Sequence, residues 1–109
     1  MSIFTPHYLA SGQLASSKGT IYTVPTGMRA IIDSIVYYNT TGGALVCNSY
    51  INDGTSRQFH KVSVPTVSRS IVLDNNSPLY LDEADLIEGD TSSATSVNYF
   101  IFGRLQAKR

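Results

Sequence analysis

Residues 20–53 read TIYTVPTGMRAIIDSIVYYNTTGGALVCNSYIND, and the punctuation of this stretch decides the fold. Pro25-Thr26-Gly27 interrupts a β-rich run, because proline fixes φ and glycine tolerates positive φ. Thr40-Thr41-Gly42-Gly43 is a second turn cluster, and Asp53-Gly54 is a hairpin signal. Between the first two turns lies Met28–Asn39, rich in Ile, Val and Tyr, which predicts a strand rather than a helix. The stretch is therefore expected to fold as a three-stranded meander against which the other segments pack. Met28, Ala30, Ile32, Val36 and Tyr38 share one parity, while Ile31, Ile35 and Tyr37 share the other. Apolar groups on both parities predict a central strand covered on each side.

The same pattern continues outward. Strands are expected over 8–15, 20–24, 44–52, 56–64, 67–73, 79–81, 86–88 and 95–107, with turns at Ser16–Gly19, after Pro65, at 74–78 and at Gly89-Asp90. Turn spacings of about 8–12 residues and the lack of any helical period predict an all-β, antiparallel β-sandwich of about eight short strands. Residues 1–7, which include Pro6, are expected to form an N-terminal arm, and 8–109 a single sandwich domain. The chain of 109 residues is long enough for one domain and its modest core. In the closing strand, Phe100 and Phe102 lie opposite in parity to Tyr99 and Ile101. Either a doubly covered inner strand or burial between protomers accounts for that pattern.

Composition narrows the function. Lys plus Arg and Asp plus Glu are 8 each, for a net charge of zero. That balance argues against a nucleic-acid binder or a membrane-surface binder relying on basic charge. Near-zero charge favours association. A single cysteine, Cys47, excludes an intramolecular disulfide and suits assembly in the cytoplasm. The first residues lack a basic region followed by an apolar run, and no segment has the roughly 20 apolar residues of a membrane span.

No enzyme site assembles. His7 and His60 with one cysteine give no zinc spacing, and G-x-S-x-G, G-x-G-x-x-G and Walker A patterns are absent. Cys47 alternates with Leu45 and reads as a buried inert thiol. Asp82, Glu83, Asp85, Glu88 and Asp90 form an acidic run without EF-hand spacing, expected to be a solvated loop or a face for a basic partner. Arg57, His60 and Lys61 read as an exposed edge. Asn39-Thr-Thr and Asn75-Asn-Ser match the glycosylation triplet but read as turns. No cofactor, metal or catalytic residue is expected. Tyr37, Tyr38, Tyr50 and Tyr80 are candidate rings for a carbohydrate-binding module.

The Val24-Pro-x-Gly turn between strands and the Asn39-Thr-x-Gly turn that follows, with Pro78-Leu-Tyr-Leu, Ile87-Glu-Gly-Asp90 and the 98–105 strand, resemble a domain of tailed-bacteriophage virion proteins. The resemblance covers roughly residues 20–105. It implies a β-sandwich of jelly-roll type without catalytic residues, found in head decoration (cement), head-fibre and tail-associated proteins, many of them trimers. The lack of a fibrous extension favours a small decoration protein over a fibre. The implied role is to bridge major capsid protein subunits on the virion surface after synthesis in the bacterial cytoplasm, as a homo-oligomer, with a tail, neck or head-fibre role as the alternative. The contact residues expected on this reading are Ile3, Phe4, His7 and Tyr8 of the arm, Phe100 and Phe102, and Arg104, Lys108 and Arg109 at the C-terminus.

Overall fold

All but one of the described strands pair with a segment far away in sequence. A computed structural model describes residues 8–73, 78–93 and 96–107. Among them are nine strands: β1 (Tyr8–Gln13), β2 (Gly19–Thr23), β3 (Met28–Asn39), β4 (Leu45–Asn52), β5 (Ser56–Val64), β6 (Ser68–Leu73), β7 (Leu79–Leu81), β8 (Leu86–Thr91) and β9 (Val97–Ala107). All pairings are antiparallel: β1 with β9, β2 with β8, β3 with β6, and β4 with β5. This nesting makes the chain one long hairpin whose tip is the Asp53-Gly54 turn. The hairpin then wraps into two sheets, ordered β1-β9-β3-β6 and β2-β8-β4-β5, with β7 added to β3. That double Greek-key order is a jelly roll.

The expected meander is corrected by this order. β2 and β4 lie in one sheet and β3 in the other. The 25–27 and 40–44 turns are therefore corners that cross between layers, and only β4–β5 is a local hairpin. Local turn chemistry is the same for a hairpin and a corner. The choice is made by burial, since the apolar side chains of the strands must oppose one another between two layers. At the second corner Asn39 is fully buried and acts as a hub. Its Nδ2 donates to the carbonyls of Gly43 (2.8 Å) and Val64 (3.0 Å), and its Oδ1 accepts from the Thr41 amide (2.8 Å) and hydroxyl (2.7 Å). The turn reading of Asn39-Thr-Thr holds, with the side chain enclosed.

The core lies between the sheets. Leu14, Ile21, Val24, Ala30, Ile32, Ile35, Tyr37, Cys47, Val64, Leu81, Ile87, Val97 and Ile101 are buried there. A fully buried Ile or Val contributes about 1.5–3 kcal/mol. The expected parity of β3 holds only over its first half. Ala30 and Ile32 point inward, but so do Ile35, Tyr37 and Asn39. The register against β9 shifts between Ile32 and Ser34, so Asp33 is an extra residue. Such a β-bulge reverses the facing of every later side chain. Val36 and Tyr38 consequently face outward beside Phe100 and Asn98. β3 is central in its sheet, yet no third layer covers its outer face among the described residues.

β8 extends through Gly89 and Asp90, where a turn was expected. Gly89 is there for close approach. A Cβ on it would meet Leu14 Cδ2 at 3.1 Å, the Asn48 carbonyl at 3.3 Å and the Tyr37 hydroxyl at 3.4 Å.

Candidate functional surface

The two sheets present unlike faces to solvent. On the β2-β8-β4-β5 sheet the outward side chains of β8, β4 and β5 bond to one another. Asn48 Nδ2 donates to Asp90 Oδ1 (2.7 Å) and the Tyr50 hydroxyl to Asp90 Oδ2 (2.9 Å). Ser56 Oγ donates to Glu88 Oε1 (2.7 Å), and Gln58 Nε2 donates to Asn48 Oδ1 (2.9 Å). Lys18 Nζ donates to Ser56 (3.0 Å) and sits 4.9 Å from the Tyr50 ring centre. Glu88 is only 9% exposed within this ladder. The acidic run is therefore no single solvated loop. Its second half belongs to a sheet face, while Asp82 to Asp85 form a turn closed by the Asp85 amide donating to the Asp82 carbonyl (3.1 Å). Strand alternation brings Glu88 and Asp90 onto one face, a consequence missed when Gly89 is read as a turn.

The β1-β9-β3-β6 sheet faces outward with rows set by its register. One row runs Gln13–Asn98–Tyr38–Arg69 and the next Ser11–Phe100–Val36. Val36, Tyr38, Phe100 and Phe102, with Arg69 and Asn98, line a mostly apolar cleft of about 420 Å³. Phe100 and Phe102 thus point out of the sandwich, with no second layer over them among the described residues. Arg104 is exposed beyond them, 3.5 Å from Asp33 at the bulge. Val67 stands 62% exposed at the neighbouring end of the sheet, one residue before Ser68, the partner of Asn39. Its φ of 43° lies in the left-handed region, unusual for a β-branched side chain. Tyr8 begins β1 with its backbone opposite Phe102. Ile3, Phe4, His7, Lys108 and Arg109 lie outside the described residues. Arg57, at the edge on β5, meets Asp53 at 3.4 Å.

The interior holds hydroxyl and thiol groups without an exposed reactive one. Tyr37 hydrogen-bonds Ser49 in the core, and burial pushes its hydroxyl well above the usual range, partly offset by that bond. Burial likewise pushes the Cys47 thiol up, and its Sγ donates to Thr91 Oγ1 at 3.6 Å. This is the environment of an inert thiol. Cys47 is expected to react with iodoacetamide about 100-fold more slowly in the native protein than after unfolding, measured by mass spectrometry. Among the described residues no three of His, Cys, Asp and Glu are grouped to hold a metal ion.

No protein-family model matches the chain, and no curated protein matches it. Two solved structures match it in part or whole. One is a structure of Bacillus endospore appendages, described as a novel family of disulfide-linked pili. It is 12% identical, with a TM-score of 0.53 over 100% of this chain and 96% of that one. The other is infectious bursal disease virus, Gt strain, 16% identical, with a TM-score of 0.42 over 87% of this chain and 28% of that one. The first likeness is one of fold and extends over the whole chain.

Proposed function

We propose that the protein is a structural subunit of a larger assembly, and more specifically a head decoration protein of a tailed bacteriophage. The observation that supports this most is the asymmetry between the two outer faces. One face satisfies its own polar groups side chain to side chain. The other offers Val36, Tyr38, Phe100 and Phe102 in a shallow cleft, with Arg69 and Asn98 at its edge. An apolar centre with a polar rim is the make-up of a protein–protein interface. Stable interfaces bury about 800 Å² per partner, and the molecule measures 46 × 34 × 23 Å along its principal axes, so a broad face has room for one.

On this reading many copies bind the outside of the head and bridge neighbouring major capsid protein subunits. Each contact is weak, and avidity comes from the number of sites. No covalent step is required. The arm with Ile3 and Phe4, and the basic Arg104, Lys108 and Arg109, supply further contacts from the ends of the chain. Purified protein added to expanded, undecorated heads is expected to sediment with them and to raise the temperature at which they rupture. Failure of both would sink the decoration role.

A second reading, as an appendage or tail subunit, is favoured by the full-length likeness to the endospore pilus protein. Disulfide linkage does not transfer, because Cys47 is the only cysteine and it is fully buried. Cryo-electron microscopy of labelled virions separates the readings: signal confined to tail or filament excludes the head role.

A further inference from the structure

The far end of the same outward face carries a second cleft of a different chemistry. It has a volume of about 400 Å³ and is lined by Arg29, Ile31, Tyr80, Asp82 and Gln106. Three strands build it. β7 and β9 flank β3, so Tyr80–Ile31–Arg104 forms one row. Arg29 faces Gln106 in the next row, and Asp82 completes that row just past the end of β7. Neighbouring same-face rows are about 7 Å apart. Tyr80 is 75% exposed, more than any other aromatic side chain among the described residues. It makes no side-chain hydrogen bond and no ring contact there. Single exposed apolar side chains are common on protein surfaces, so what marks Tyr80 is its place in the wall of this cleft beside polar side chains. Arg29 Nε lies 3.9 Å from Asp82 Oδ1, with both side chains more than half exposed, and Asp82 Oδ1 also accepts from the Glu83 amide (2.8 Å). Such an ion pair is weakly held.

We propose that this cleft is a carbohydrate subsite that takes a neutral hexopyranose unit. A pyranose has an apolar face of C–H groups and an equator of hydroxyls. Tyr80 and the Ile31 side chain supply the apolar platform. The Arg29 guanidinium, the Asp82 carboxylate and the Gln106 amide supply planar donors and acceptors that pair with vicinal hydroxyls. The offset between the two rows lets one sugar lie on the ring and reach the polar row with its edge. The cleft is open and shallow, which suits a terminal or side-chain sugar of a polysaccharide and binds a free monosaccharide weakly. The site is separate from the Phe100 cleft. The two clefts share no lining residue, and their nearest rows, those of Phe102 and Arg104, are two residues apart on β9.

The test is a ¹H–¹⁵N NMR titration of the full chain with methyl glucoside, methyl mannoside, methyl galactoside and N-acetylglucosamine. At least one is expected to move the amides of Ile31, Tyr80 and Gln106 with a Kd of about 1 mM, the strength expected for a ligand of about a dozen heavy atoms. Tyr80→Ala is expected to weaken that binding about tenfold or more, while Tyr80→Phe and Tyr38→Ala keep it. Tyr80 is exposed, so its variants should fold, and the dispersion of each spectrum verifies that. The proposal is overturned if no sugar shifts these amides at about 50 mM. It is equally overturned if Tyr80→Ala binds as tightly as the parent. Head binding is measured separately, so failure here leaves the decoration reading untouched, and the reverse.

Discussion

Gly103→Ala is expected to remove a large share of the stability of the fold. A Cβ at Gly103 would lie 2.2 Å from the Ile31 carbonyl oxygen and 3.0 Å from the Ile32 Cα. Both are backbone atoms of β3, so no rotamer change relieves the clash. β3 is held on one side by β9 and on the other by β6 and β7, so displacing it breaks pairings on both flanks. Overpacking a core with a flexible neighbour costs about 1–3 kcal/mol. Here the neighbour is the centre of the sheet, and the expected loss exceeds about 4 kcal/mol, a large share of the 5–15 kcal/mol that stabilises a typical domain. Urea denaturation followed by circular dichroism measures it. Gly42→Ala is the control. It meets nothing within 4 Å, and its unfolding free energy is expected to stay within about 0.5 kcal/mol of the parent. A Gly103→Ala protein with the parental midpoint would show that the close approach at the bulge is absent.

The same bulge explains what the sequence could and could not convey. Strand positions were legible because Pro25, Gly27, Gly54 and Pro65 punctuate runs of Ile, Val, Tyr and Thr. β7 was legible to the residue, as three residues between Pro78 and an acidic turn. The facing of β3 was not legible past Ile32, because an alternating pattern with apolar groups on both parities fits either register. One extra residue at Asp33 decides it, and the only trace in the sequence is a glycine seventy residues later, at Gly103. The layer of each strand was also hidden. A Pro-Thr-Gly turn closes a hairpin or rounds a corner with equal ease, and long-range burial chooses. The inward direction of Cys47 was legible from its alternation with Leu45. The polar ladder of Asn48, Tyr50, Glu88 and Asp90 was not, since its members are about forty residues apart. Phe100 and Phe102 stood out as unusual on sequence grounds. Their cleft partners Val36 and Tyr38 did not, because the bulge puts them there.

The Val36–Phe100 cleft yields the sharpest functional expectation. Replacing Tyr38 and Phe100 together by glutamate places two carboxylates in the centre of the proposed interface. Each would be desolvated on docking without a partner, and an unpaired buried charge costs several kcal/mol. Loss of an aromatic anchor adds about 2 kcal/mol or more at a central interface position. Every 1.4 kcal/mol is tenfold in affinity, so the double variant is expected to bind undecorated heads at least about 100-fold more weakly. Folding should survive, because both side chains point out of the sandwich and the core residues beside them, Tyr37 and Ile101, are unchanged. Val46→Glu is the matched control. Val46 is exposed on β4, on the opposite outer face. The charge added there should leave head binding within about twofold of the parent. Co-sedimentation with heads at increasing protein concentration reads both. If Val46→Glu weakens binding and the Tyr38→Glu/Phe100→Glu protein does not, the hydrogen-bonded face is the docking face. The apolar cleft would then need another occupant, such as a second copy of the chain, which sedimentation equilibrium of the two variants would reveal as a monomer–oligomer difference.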